Sequence, residues 1–268
     1  MTSQGPIIHE SDVVFGTGGG EDLRCDVYRP PKGASPASAI LLLRRRDPAP
    51  LTQVMAHRLA ERGHVAIVSE YRIGFNVTDK GFVPVAGQEW PAPLHDAKAA
   101  VRWTRANSEQ LGIDPRCIAV LGGSNAGLVA GVVAGTADVA ELEGGGGNAG
   151  VSSGVAAAVL AYTPTTLSQW GVPLIIGANP TPVLIAQASP ITHVSQKSPP
   201  TLFLHGGDDT MILPSNSVDM HNALRAAGAP SELHLYAGQG HGYDWQPEFA
   251  SHTIDLISLF VSRYAKPG

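Results

Sequence analysis

Three stretches of this chain end in residues suited to nucleophilic catalysis. Gly122-Gly123-Ser124-Asn125-Ala126-Gly127 sets a serine among small neighbours. His205-Gly206-Gly207-Asp208-Asp209 places two carboxylates at the end of an apolar run. Ala237-Gly238-Gln239-Gly240-His241-Gly242 holds a histidine in a glycine-flanked loop. A serine hydroxyl attacks poorly until a base takes its proton, and an imidazole serves best when a carboxylate fixes its tautomer and stabilises its charged form. Ser124 is therefore read as the nucleophile and His241 as the base that later becomes the acid. By composition either Asp208 or Asp209 can orient the histidine.

The elements that must hold these residues follow from their flanks. Cys117–Leu121 reads as a strand running straight into the serine turn, and small residues to Gly135 continue as a helix. That strand–turn–helix context lifts a serine above the edge of a sheet and sets a helix N-terminus beneath it. The pattern G-x-S-x-G ends here in Ala126 instead of glycine, a departure of one methyl group. Thr201–His205 and Leu233–Tyr236 are strands ending just before the acid and the base, so all three groups fall on one sheet edge. The competing reading of Gly122–Gly127 as a dinucleotide fingerprint fails on spacing, and no Walker A sequence is present. Gly16–Gly20 has no helix after it and reads as a turn.

The remaining pattern alternates strand and helix, which points to a mainly parallel sheet wrapped by helices. Val13–Phe15 and Leu23–Tyr28 pair as early strands. Ala39–Leu43 and Val65–Ser69 are apolar runs of buried strands, separated by an amphipathic helix over Leu51–Arg62. Asn76–Pro91 reads as an irregular excursion and Pro93–Gln110 as one long helix. Val155–Ala161 is a strand after the glycine-rich loop at Gly144–Gly147. Helices span Ser215–Ala227 and Pro247–Tyr264. The Pro-rich stretch 163–189 is the room available for a small cap on a single domain of residues 1–268.

Of 268 residues, 43% are hydrophobic and 15% charged, with a net charge of −5. That supports a sizeable core and excludes a disordered chain. Nothing in the charge points to nucleic acid or an anionic membrane as partner. No apolar run reaches the length of a bilayer span, and the first twelve residues lack the apolar stretch of a signal peptide, which favours the cytoplasm. Cys25 and Cys117 sit in strand-like runs and read as buried thiols. No metal is expected, because His205, Asp208, Asp209 and His241 lack ligand spacing; His205 reads as a structural turn residue. The apolar stripe Ile254, Ile257, Phe260 and Val261 reads as core rather than as the face of a homodimer.

Several segments together carry a family resemblance. They are Glu70-Tyr71-Arg72, Pro91 to Trp103 with His95-Asp96-Ala97-Lys98 within it, Gly112-Ile113-Asp114-Pro115-Arg116, Glu141-Leu142-Glu143-Gly144, Gly147-Asn148, Ser152-Ser153 and Ala188-Ser189-Pro190-Ile191-Thr192. In these the chain resembles the acetyl-esterase and feruloyl-esterase-like branch of the α/β-hydrolases, near the hormone-sensitive-lipase-type esterases, from about Leu41 to about Tyr243. The resemblance implies an eight-stranded, mostly parallel sheet with flanking helices. It also implies hydrolysis of short-chain carboxylic esters, small-molecule substrates, without a cofactor. The family's H-G-x-x-D pattern selects Asp209, and its G-x-G-H-G pattern selects His241.

The chain departs from that family after its third strand. Where the family has His-Gly-Gly-Gly, Leu43 is followed by Arg44-Arg45-Arg46-Asp47-Pro48. The glycines whose freedom turns backbone N–H groups toward an oxyanion are absent. Three outcomes stay open. A backbone N–H of Arg45 or Arg46 completes the oxyanion hole with Asn125 N–H; a guanidinium, Arg44 included, replaces the missing donors and holds an acidic substrate; or the hole is lost, leaving lyase chemistry, another non-hydrolytic reaction or ligand binding. Trp90 and Trp170, with Leu174, Ile175 and Ile176, are candidate pocket walls or cap core.

Overall fold

The computed structural model describes residues 6–31, 36–45, 50–79, 81–167, 172–177 and 179–268. The elements in chain order are β1 (Ile8–Gly18), β2 (Glu21–Arg29), β3 (Ala37–Arg45), α1 (Pro50–Glu61), β4 (Val65–Tyr71), β5 (Phe75–Thr78), β6 (Gly81–Pro84), α2 (Ala92–Ala106), α3 (Ser108–Leu111), β7 (Ile113–Gly123) and α4 (Asn125–Gly135). They continue as β8 (Ala157–Ala161), α5 (Val172–Ile175), α6 (Pro182–Ala188), β9 (Thr201–Gly206), α7 (Ser215–Ala226), β10 (Ser231–Tyr236) and α8 (Pro247–Tyr264).

Eight strands form one sheet in the order β1-β2-β4-β3-β7-β8-β9-β10. Only β2 runs against the rest, pairing antiparallel with β1 and β4, while every other neighbour pair is parallel. This is the α/β-hydrolase fold that the resemblance implies. Alternation along each strand divides the core. Leu41, Ile67, Val120, Leu160 and Phe203 face α2, α4 and α7, whereas Leu42, Val68, Leu121, Val159 and Leu204 face α1 and α8. The apolar runs read as buried strands are thus apolar because both faces are covered. Both cysteines, on β2 and β7, are buried free thiols.

Two segments differ from their sequence reading. The excursion after β4 contains an antiparallel hairpin, β5–β6, closed by Gly81 at positive φ and by Phe75 packed edge-on to Phe82 at 5.2 Å. Four-residue strands are too short for alternation to stand out from a loop. The long helix stops at Ala106, because the Asn107 side-chain amide donates to the Trp103 carbonyl at 2.8 Å and ends the ladder. The described part of 163–189 carries α5 and α6, which lie beside the hairpin and α4. Ile175 and Ile176 are buried in the core there, and Leu174 packs against it.

His64, just before β4, ties the sheet to α8. Its ring is buried between the Ser38 hydroxyl at 2.7 Å and the Ser258 hydroxyl at 2.8 Å, one donor and one acceptor, which suits the neutral form. Burial, aided by the nearby Arg62 charge, pushes its pKa down to about 4. Between pH 6.5 and 4 the unfolded chain binds this proton and the folded chain does not. Stability should therefore fall as pH drops through that window, by up to about 3 kcal/mol. Urea midpoints at about pH 7 and about pH 4.5 check this: His64→Gln should show a shallower pH dependence than the wild type, and equal slopes would refute the assignment.

Candidate active site

The carboxyl ends of β7, β9 and β10 bring Ser124, Asp209 and His241 together. Ser124 sits between β7 and α4 with φ 54 and ψ −126, a region that L-residues rarely adopt. Its own N–H donates to the Ala161 carbonyl at 2.9 Å, and its carbonyl accepts from Leu128 N at 3.1 Å, so the turn is held from both sides. Gly122 is required by close approach, since a Cβ there would overlap the backbone carbonyl of Ala126. The methyl of Ala126, by contrast, is accommodated at the cavity wall.

Asp209 is buried, and its Oδ1 accepts from the backbone N–H groups of Met211 and Ile212, both at 2.9 Å. Its Oδ2 lies 2.7 Å from His241 Nδ1. An ionised carboxylate only accepts, so Nδ1 carries the proton and Nε2 is left free to accept. The Ser124 hydroxyl lies 3.1 Å from that Nε2. Asp208 is exposed and its N–H donates to the Gln239 carbonyl at 2.9 Å, which docks the histidine loop. Gly206 permits this docking, because a side chain there would strike the carbonyls of Gln239 and Gly240.

His205 lies fully buried beneath the acid. The Ser217 hydroxyl donates to its Nδ1 at 2.7 Å, and its Nε2–H points at the Ile212 carbonyl at 2.9 Å, with Asp209 Oδ2 at 3.3 Å. Burial lowers its pKa, consistent with a neutral ring that braces the acid turn. Among the described residues no cluster of three or more His, Cys, Asp or Glu side chains is arranged to hold a metal.

A cavity of about 470 Å³ opens at Ser124. Sequence reasoning missed most of its walls. Tyr162 directly follows β8 and stands edge-on to the His241 ring at 4.8 Å. Asp244 lines the cavity as well, and burial pushes its carboxyl above the ordinary aspartate value. Met55 of α1, Phe75 of the hairpin, and Ile254 and Ile257 of α8 complete the apolar lining. Only the position of Tyr162 just past a strand end offered a signal; helices distant in sequence offered none.

The expected oxyanion donors divide. Asn125 lines the cavity as the first residue of α4, where a helix has N–H groups without an intrahelical acceptor. Leu42 pairs with Leu121, so Arg45, three residues on in β3, lies level with the serine turn. Arg46 lies outside the described residues, as does Trp170. Arg44 lines the cavity, yet its guanidinium is 3.1 Å from Glu70 in a largely buried ion pair. Its charge is thus already matched, against its reading as the anchor of an acidic substrate. Trp90 is not a pocket wall: it is buried in the core, its indole N–H donating to Gln187 at 2.9 Å. Leu174, Ile175 and Ile176 also lie away from the cavity.

Two variants test the turn. Gly122→Ala should destabilise the fold by about 1–3 kcal/mol through overpacking, whereas Ala126→Gly should cost no more than about 1 kcal/mol; thermal melts that rank them in the opposite order would refute the close-approach argument. Arg44→Met combined with Glu70→Gln, which removes both charges and strands neither, should alter KM for acidic and neutral esters by the same factor; a selective rise for acidic esters would restore the anchor role.

The chain is similar to several known proteins. A BD-FAE family profile matches residues 26–224. Esterase LipQ of Mycobacterium tuberculosis is 27% identical over 94% of this chain and 59% of its own length. Esterase LipC of the same organism is 29% identical over 77% of this chain and 52% of its own. The chain thus spans between half and three-fifths of the length of these relatives. Among solved structures, an acetyl ester-xyloside bifunctional hydrolase from Caldicellulosiruptor lactoaceticus has a TM-score of 0.75 at 26% identity, covering 92% of this chain and 90% of that one. A thermophilic esterase from Thermogutta terrifontis has a TM-score of 0.78 at 24% identity, covering 96% and 93%.

Proposed function

The chain belongs to the BD-FAE family, and on that premise we propose that it is a serine hydrolase that cleaves carboxylic esters with a short acyl chain. The observation that carries this reading is the unbroken hydrogen-bonded line from Asp209 through His241 to Ser124, ending at a cavity. The names of its relatives, esterases LipQ and LipC and an acetyl ester hydrolase among the solved structures, support the same reaction class.

In the proposed reaction, Ser124 Oγ attacks the ester carbonyl carbon while His241 Nε2 takes the hydroxyl proton. Asp209 keeps the imidazole in the tautomer that can accept and stabilises the imidazolium that results. Negative charge moves to the carbonyl oxygen, beside the Asn125 N–H and the positive end of α4. The backbone of Arg45 is the second candidate donor. Collapse of the tetrahedral intermediate expels the alcohol, which leaves with the proton from His241. Water then attacks the acyl-enzyme by the same route, giving its proton to His241 and releasing the acid and free Ser124.

Ser124→Ala should lower kcat for p-nitrophenyl acetate by about 10⁴-fold or more. A fluorophosphonate should add one covalent mass to the wild type, located on the Ser124 peptide, and none to the variant. Turnover retained in Ser124→Ala, or a folded wild type inert toward esters, would overturn the reading.

A further inference from the structure

The cavity is much larger than a short acyl group requires. Each carbon of an acyl chain fills roughly the space of a water, about 30 Å³, so an acetyl group leaves most of the 470 Å³ empty. The other arm of the ester must account for it. His241 Nε2 has to reach the leaving oxygen, so the alcohol departs across the histidine. The cavity wall on that side is built by Tyr162, against the His241 ring, and by Asp244 and Trp245, which follow His241 in the chain. The segment 243–245 packs on α8, and α8 on α1. The floor continues between those two helices, over Val159, Leu204 and Ile257, none more than 1% exposed.

The mouth has a matching character. Leu51, Val54, Phe82, Met211 and Trp245 all line the cavity and remain between 42% and 62% exposed. They come from four separate parts of the chain, so no single amphipathic element explains their clustering. Large apolar side chains converging on one opening mark a site that an apolar ligand covers.

Resting on the serine-esterase reading, we propose that this cavity is an alcohol-arm subsite, and that the preferred substrates are short-acyl esters of alkyl or aryl alcohols with about six to ten carbons. Ile257 sets its depth, and Val54 and Trp245 form its lip. The subsite gives the alcohol arm apolar burial that the acyl arm does not receive.

Two substrate series separate the arms. In the first, acetates of ethanol through octanol are followed by acid release; in the second, p-nitrophenyl esters run from acetate to octanoate. The expected result is a kcat/KM that rises about two- to fourfold per methylene in the alcohol series and stays flat or falls in the acyl series. Ile257→Trp, which fills the floor, and Val54→Glu, which places a charge at the exposed lip, should each lower the octyl-to-ethyl acetate ratio tenfold or more. Val183→Glu, on exposed α6 away from the cavity, should leave that ratio as it is. A rise in the acyl series with a flat alcohol series overturns the assignment. So do flat responses in both series, or an octyl-to-ethyl ratio unmoved by Val54→Glu. Those results leave the esterase reading standing, whereas a wild type inert on every ester in both series removes it together with the subsite.

Discussion

The whole site hangs on one strained residue. Ser124 is held at a positive φ, which costs of order 1–3 kcal/mol for a residue with a Cβ. It persists because the surroundings over-determine it. β7 and β8 deliver the carbonyl that receives Ser124 N–H, Gly122 lets the first turn of α4 fold back on the strand, and α4 is buried along nearly its full length. Release of that strain would carry the hydroxyl away from His241 and the Asn125 N–H away from the cavity. The parallel sheet beneath it is thus a clamp as much as a scaffold.

A second constraint lies out of reach of the chemistry. Arg72 pairs with Asp96 through two guanidinium nitrogens at 2.8 Å each, and Lys98 and Arg102 both bind Glu143, with Ser153 donating to the same carboxylate at 2.7 Å. Lys98 and Arg102 are buried. Breaking one partner of such a pair strands a buried charge, at a cost of about 3–5 kcal/mol. This network joins several of the motifs on which the family resemblance rests. Glu141 to Gly144, Ser152-Ser153 and the His95-to-Arg102 stretch are specific as a set because they are partners in one structure. They fix α2 against the end of β4 and against the glycine-rich loop. They take no part in the site itself.

The same division between structure and chemistry runs through the arginine segment that replaces the family's glycines. One of its members, Arg44, belongs to a buried ion pair with Glu70 at the end of the neighbouring strand. A charge run read as a candidate anion clamp thus contributes, at this position, to closing the cavity wall. The cavity around it is mainly apolar, and Asp244 is the one carboxylate among its described lining residues. Among the described lining residues the one arginine, Arg44, is already paired with Glu70.

What the sequence determined by itself was everything encoded locally. Strand–turn–helix continuity at Cys117–Gly135 and strand ends before Asp209 and His241 specify which residues meet, because a parallel sheet brings the carboxyl ends of its strands to one edge. Buried strands were legible because a short apolar run bounded by turn residues is stable only when both of its faces are covered. The choice between Asp208 and Asp209 was not local: one carboxylate faces solvent and the other faces His241 only because of how the turn after β9 packs on the loop after β10. Trp90 stayed open between pocket wall and core for the same reason, since an indole reads alike whether it lines a cavity or fills a core. The cavity was decided by tertiary structure alone. Its walls come from α1, the β5–β6 hairpin and α8, segments separated by most of the length of the chain, and nothing within any one of them records which neighbour it will face.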